Sequence, residues 1–149
     1  MRIIIAIVLL GLCSMSAAHV SFRDAQIVFN KLTHEANYYP KLRYSPDLDS
    51  NAWTDENIYI NQGMLNDCRN YTDLSMVLGH ELGHYIKNDP RFKAARFREL
   101  RADKIGYYFC KKTGYSHCIR FMYMMNHKYK NDYDDVHPKW SIRIKEVLK

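Results

Sequence analysis

No apolar run in this chain is long enough to cross a bilayer comfortably. The longest, Ile3 to Leu12, covers about ten positions, against the roughly 20 that a spanning helix needs. Blocks of like charge are missing as well. The 22 Lys and Arg against 16 Asp and Glu leave a net charge of +6, but the basic residues are scattered over helix faces, so no nucleic-acid partner is expected. There is no internal repeat and no low-complexity tract, which argues against a repeat array. At 149 residues the chain holds one core of ordinary size and not two. Cysteine is scarce: beyond Cys13 there are Cys68, Cys110 and Cys118. Three thiols can close only one internal bridge, which excludes a disulfide-dense scaffold.

The first 18 residues read as a targeting segment. Arg2 gives a minimal charged start, Ile3 to Leu12 the apolar stretch, and Ser16-Ala17-Ala18 the small residues before a cleavage point at His19. The expected organisation is a signal peptide over 1–18 and a single domain over 19–149, exported to a periplasmic or secreted location with no stable membrane insertion. The open alternative is a membrane anchor retained through this segment, by the uncleaved stretch itself or by a lipid on Cys13.

What the chain does contain is His80-Glu81-Leu82-Gly83-His84. Positions four apart on a helix lie nearly one above the other, so both imidazoles can face one metal ion while the Glu between them reaches a bound water. This is the HExxH pattern of zinc peptidases. With 7 His and 5 Glu in the chain, the pentapeptide arises by chance in about one such chain in a hundred. Its setting is helical. Thr72 is the expected cap, Asp73 favours the first turn, Leu74, Val77, Leu78, Leu82 and Tyr85 form an apolar stripe, and Asn88-Asp89-Pro90 stops the helix. Gly79 and Gly83 weaken a helix interior by about 1 kcal/mol each, which implies a close neighbour there.

A catalytic zinc takes three protein ligands and keeps one position open. The third is sought downstream, where Glu99 and Asp103 share one face of a second helix expected over Arg91 to Lys111. Two carboxylates stacked this way repel unless a cation lies between or beside them. Ala102 and Gly106 on that face allow another helix to approach closely.

His80-Glu81-x-x-His84 followed by Glu99-x-x-Ala102-Asp103-x-x-Gly106 resembles the gluzincin zinc metallopeptidases of family M48. Asn51-Ala52-Trp53 is similar to that family's edge-strand segment. Asn57-Ile58-Tyr59-Ile60 with Gly63-Met64-Leu65 is similar to the strand leading to the active-site helix. His137-Pro138, with Arg143 six residues after the His, matches its His-Pro…Arg element. The resemblance covers roughly Asn51 to Leu148. Only 14 residues separate His84 from Glu99, shorter than in larger members, and this spacing is also similar to ImmA-like regulatory peptidases of family M78.

The resemblance implies an α+β, zincin-like fold, mostly helical, with a small antiparallel or mixed sheet beside the active-site helix. It implies one Zn2+ held by His80, His84 and Glu99, with Glu81 as general base in peptide-bond hydrolysis. His137 would stabilise the oxyanion or ligate the resting metal, Asp103 would orient a ligand His, and Arg143 would pair with a site carboxylate. Asn51 and Ala52 would bind an extended protein or peptide substrate by strand addition. A catalytically silent, zinc-stabilised peptide-binding module is the alternative from another class, against which Glu81 argues, since a structural site needs no base.

The rest of the chain supplies the scaffold. Ser21-x-x-Asp24 is a capping box opening a helix to about Asn37, with Phe22, Ala25, Val28, Phe29 and Leu32 inward. Leu42 to Tyr44, bracketed by Pro40 and Pro46, is extended, and Trp53 and Ile58 to Ile60 are short strands joined by Thr54-Asp55-Glu56. A helix from Ser116 to about His127 carries Phe121, Met122 and Met125 as core filler. Lys128 to Val136 is a polar loop, and Pro138 opens the last helix. A Cys110–Cys118 bridge across the Gly114 turn would stabilise the chain by roughly 2.5 kcal/mol. Three reduced core thiols are the alternative.

Overall fold

Ser21 Oγ accepts from the Asp24 backbone N–H, and the Asp24 carboxylate accepts in return from the Ser21 N–H. This capping box starts α1 (Phe22–Ala36), which buries Ala25, Val28, Phe29 and Leu32. The computed structural model describes residues 20–89, 96–129 and 137–149. The proposed leader and most of the Lys128 to Val136 loop lie outside the described residues.

Three short strands follow: β1 (Leu42–Ser45), β2 (Ala52–Thr54) and β3 (Ile58–Asn61). Their order is β1-β3-β2, with β1 parallel and β2 antiparallel to β3. The sheet is therefore mixed and β2 is an edge strand. Within the β2 and β3 pair, Ala52 faces Ile60, Trp53 faces Tyr59 and Thr54 faces Ile58. The Asn61 N–H donates to the Asn51 carbonyl at 3.1 Å, which makes 51 and 61 a hydrogen-bonded pair. By the alternation of an antiparallel ladder, the N–H and C=O of Ala52 and Thr54 then point to the open edge. Side chains alternate too. Trp53 lies on one face, stacked on Tyr59 at 5.0 Å, and Ala52 and Thr54 lie on the other.

The segment Gly63-Met64-Leu65, expected to belong to a strand, is helical: it lies in α2 (Gln62–Asp67). Asn61 is the reason, because its side chain caps the new helix by accepting from the Met64 N–H at 2.9 Å. A Cβ on Gly63 would lie 2.2 Å from the Leu48 carbonyl oxygen, so only glycine lets the loop before β2 lie across α2.

The centre of the molecule is α3 (Tyr71–Ile86), in which Leu74, Met76, Val77, Leu78 and Leu82 are buried. Its cap is Asn70 and not Thr72: the Asn70 side chain accepts from the Asp73 N–H at 3.0 Å. Asn is as good a cap as Thr, and one placed two residues earlier adds half a turn. Asn88 ends the helix in a left-handed conformation, φ 50.

Against α3 packs α4 (Arg96–Lys112), whose expected start at Arg91 lies outside the described residues. The contact is as close as the glycines implied. A Cβ on Gly79 would meet the Gly106 Cα at 3.0 Å, and one on Gly83 would meet the Ala102 backbone at 2.9 Å. Two shorter helices complete the core, α5 (Ile119–Lys128) and α6 (Trp140–Val147). Both start later than the sequence suggested. Residues 116–118 form turns before α5, and Pro138 precedes α6 by two residues, with Lys139 as the flanking residue. Phe121, Met122 and Met125 are buried core residues.

The expected Cys110–Cys118 bridge is not formed. All three described cysteines are buried free thiols. Cys110 donates from Sγ to the Ser75 carbonyl of α3 at 2.9 Å. Cys110 is thus satisfied as a hydrogen-bonded thiol inside the core.

Candidate metal centre

Because α3 and α4 touch along glycine and alanine, the side chains flanking that seam are forced into one small volume. His80 and His84 project from α3, one turn apart, and Glu99 projects from α4. The His80 and His84 Nε2 atoms are 3.1 Å apart. Glu99 Oε2 lies 3.4 Å from His80 Nε2, and Oε1 lies 3.3 Å from His84 Nε2.

The protons on the two rings are assigned by their other nitrogens. His80 Nδ1–H donates to Asp103 Oδ1 at 2.8 Å, and His84 Nδ1–H donates to Asp89 Oδ2 at 3.2 Å. In neutral imidazoles this leaves both Nε2 lone pairs aimed at one another and at the Glu99 carboxylate. Three electron-rich atoms at such separations suit a cation between them. A tetrahedral zinc with ligands about 2.0–2.1 Å away sets its ligand atoms roughly 3.3–3.4 Å apart. The observed triangle fits that ion, and among the described residues these three side chains can offer their ligand atoms together.

The electrostatics agree. Burial alone would lower the His80 pKa, but its hydrogen bond to Asp103 and the charges of Asp103 and Glu99 raise it to about 10 in the metal-free site. Burial pushes Glu99 up, yet hydrogen bonds from His80 and His84 hold it far below the usual carboxylate range. Asp103 is also opposed by burial, but the Arg143 guanidinium lowers it to about 2.

Behind these three side chains stand the residues that hold them. Arg143 grips Asp103 with two parallel hydrogen bonds, Nε to Oδ2 and Nη2 to Oδ1, each 2.7 Å, and its guanidinium lies 4.0 Å over the Trp140 ring. Pairing of Arg143 with a site carboxylate was anticipated, and Asp103 is the partner. Asp89 plays the corresponding part for His84, and Arg101 Nη2 donates to its other oxygen at 2.5 Å. The sequence marks Asp89 only as part of a helix stop. Its distance of five residues from His84 was the available signal, just past the turn where the chain folds back under the ring.

Glu81 is buried beside the three side chains, with Oε1 4.0 Å from His80 Nε2. A cleft of about 460 Å³ opens there between the loop before β2, α3, α5 and α6, and a second compartment of about 240 Å³ continues along β2. Asn51, Ala52, His80, Glu81, Glu99 and His137 line both. His137 is exposed at the mouth, in reach of the cleft although distant in sequence. Of the two residues expected to grip an extended chain, only Ala52 turns its backbone to the open edge. Asn51 directs its own inward, donating its N–H to Asn61 Oδ1 at 3.0 Å and accepting the Asn61 N–H.

The family model described as Peptidase family M48 matches residues 22–97. The chain belongs to peptidase family M48. The match takes in α1, the sheet and the whole HExxH helix, and it ends before Glu99, Asp103, His137 and Arg143. No curated protein and no solved structure matches the chain. As an M48 peptidase, the chain has protein substrates and a mostly helical α+β zincin-like fold with a three-stranded mixed sheet.

Proposed function

We propose that this M48 peptidase is a zinc-dependent endopeptidase that cleaves extended segments of protein substrates. The observation that carries the reading is the convergence of two imidazole lone pairs and one carboxylate at 3.1–3.4 Å, with a separate carboxylate, Glu81, on the cleft side. His80, His84 and Glu99 would hold the ion, and their donor types and separations suit zinc. Bound zinc would supply a Lewis acid that acidifies a water and polarises the scissile carbonyl.

The protein's own groups do the rest. Glu81 accepts a proton from the attacking water at Oε1 and delivers it to the leaving amine. Asp103 and Asp89 hold the two rings by their Nδ1–H groups, so that each Nε2 keeps its lone pair and its aim. His137, at the mouth of the cleft, is suited to donate a hydrogen bond to the developing oxyanion. Ala52 and Thr54 offer main-chain donors and acceptors to an extended chain at the β2 edge, a mode that tolerates many side chains.

The domain is assigned to residues 19–149 and the first 18 residues to a leader, which makes the enzyme exported. Among the described residues, no helix is long and apolar enough to cross a membrane.

The test is hydrolysis of an unfolded protein by the zinc-loaded enzyme, beside Glu81→Gln and a chelated sample. Cleavage that falls by at least about a hundredfold in Glu81→Gln and disappears on chelation supports the reading. Cleavage that survives either control overturns it. A protein that binds one zinc per chain and cleaves nothing leaves three readings: a narrow specificity, a missing activator or a zinc-stabilised binding module.

A further inference from the structure

We propose that Thr54 is a positioning residue that aims the Glu81 carboxylate, and that it ties this aim to the docking of substrate on β2. The proposal rests on the reading of Glu81 as the general base. It begins from a contact that neither the HExxH pattern nor the family match accounts for. Thr54 Oγ1 lies 2.7 Å from Glu81 Oε2 and 2.9 Å from the Glu81 carbonyl oxygen, in a buried setting. A hydroxyl has one proton. The carboxylate oxygen lies at the shorter distance, so the proton goes mainly to Oε2, and the carbonyl takes at most the weak branch of a bifurcated bond.

The result divides the two oxygens of Glu81 between tasks. Oε2 is anchored on the strand, and Oε1 is left facing the ligand triad, 4.0 Å from His80 Nε2. A carboxylate on a two-carbon stem has several staggered rotamers available, and only those that keep Oε1 on the cleft side serve proton transfer. Thr54 selects them. Glu81 and Thr54 are each 7% exposed, so little water is at hand to replace the hydroxyl if it is removed.

The position of Thr54 gives the contact a second consequence. Its side chain and that of Ala52 lie on the α3 face of β2, while its backbone N–H and C=O point to the open edge. An extended substrate added at that edge would hydrogen-bond to the same residue whose hydroxyl holds the base. Across the sheet Thr54 is opposite Ile58, a fully buried core residue, so the other side of the strand is already fixed. Substrate pairing therefore clamps the one remaining free side of a residue one bond away from the catalytic carboxylate. The partner chemistry is that of a polypeptide main chain in extended form, recognised without regard to side chain.

The experiment compares Thr54→Val, which keeps the branched shape and removes the donor, with Thr54→Ser, which keeps the donor. Both are zinc-loaded, with Glu81→Gln as the reference for loss of the base. Thr54→Val is expected to lower kcat by roughly ten- to a hundredfold, the range for a hydrogen bond to a charged group. Zinc should stay at one per chain with unchanged affinity. Thr54→Ser should stay within about threefold of the parent on the same scale. Crystals of the zinc-loaded proteins give a readout that needs no substrate: Glu81 should hold one conformation in the parent and in Thr54→Ser, and leave it in Thr54→Val.

The proposal is overturned if Thr54→Val turns over like the parent while Glu81→Gln is inactive, or if its Glu81 keeps the parental conformation. It is also overturned if the whole loss lies in zinc binding or in KM, since Thr54 would then be structural or a substrate contact alone. Unimpaired cleavage by Glu81→Gln removes the base reading itself, and the Thr54 role with it.

Discussion

Substitution of Gly106 by alanine should disable the metal centre from a position that touches neither the ion's place nor the substrate. A Cβ at Gly106 would lie 2.6 Å from the His80 backbone nitrogen and 2.7 Å from the Gly79 carbonyl carbon. Ordinary contact begins at 3.4 Å. The obstacle is backbone on a buried helix and cannot swing aside, so α4 must withdraw from α3 by roughly 0.8 Å, the difference between those distances. Glu99 and Asp103 travel with α4, while His80 and His84 stay with α3. Metal sites accept deviations of about 0.2 Å in ligand distance. A shift several times larger opens the Glu99 side of the ligand triangle and stretches the His80–Asp103 hydrogen bond. Gly106→Ala should therefore weaken zinc binding by roughly a hundredfold or more, the upper range seen when supporting residues of metal sites are lost. The overpacking should also destabilise the fold by about 1–3 kcal/mol. Competitive zinc titration and denaturant unfolding measure the two effects. Gly114→Ala is the matched control. Gly114 has φ +90 and no atom within 4 Å of its built Cβ, so alanine there strains the backbone by about 1–2 kcal/mol and leaves zinc affinity unchanged. If Gly106→Ala binds zinc as tightly as the parent, the close packing of α3 on α4 does not set the ligand geometry.

Two further outcomes are expected. Asp103→Ala leaves the Arg143 guanidinium buried without its carboxylate and should cost about 3–5 kcal/mol of stability. The double change Asp103→Leu with Arg143→Met should recover most of that in unfolding titrations, while zinc affinity stays low because His80 Nδ1–H has lost its acceptor. The pH dependence of the metal-free protein follows from the site's opposed charges. The His80 pKa is raised from 6.5 to about 10, so its contribution is complete below pH 6.5 and is lost as pH rises towards 10. Asp103 is lowered from 3.8 to about 2 and Glu99 is lowered from 4.5, so theirs are complete above about pH 4.5 and are lost in acid. Melting temperatures with chelator should therefore peak between pH 4.5 and 6.5 and decline on both sides. A flat profile from pH 6.5 to 10 would refute the coupling of His80 to its carboxylates.

How much of this was legible in the sequence depended on whether a feature is local or crosses between elements. Helix periodicity alone puts His80 above His84 and Glu99 above Asp103, because four residues make just over one turn. The glycines at 79, 83 and 106 carried the tertiary message, since a helix has no reason to accept them unless a neighbour occupies the space. Together they specified which faces meet, and the ligand triangle follows from that contact. The capping box at Ser21 and Asp24 was equally readable, because both partners lie within one turn. Boundaries were harder. Asn70 and Thr72 are both acceptable caps, and the choice between them is made by packing that local rules do not contain. The same holds for Asn61, whose side chain turns the end of β3 into the start of α2.

What escaped the sequence is the layer of single hydrogen bonds between elements far apart in the chain. By sequence Thr54 belongs to the turn that joins the Trp53 and Ile58 strands, and nothing local says that a threonine 27 residues before Glu81 will hold its carboxylate. The register of β2 on β3 decides it. A slip by one residue would turn Thr54 to the other face of the sheet and bring Trp53 against the base. Asp89 escaped for the same reason: its use as a partner for His84 needs the left-handed turn at Asn88 to fold the chain back beneath the ring. In this chain the candidate ligand set is written in short spacings, whereas the aim of each side chain is set by register and turn geometry. Substitutions outside the HExxH motif that change register or turn should therefore alter rate while leaving metal content intact.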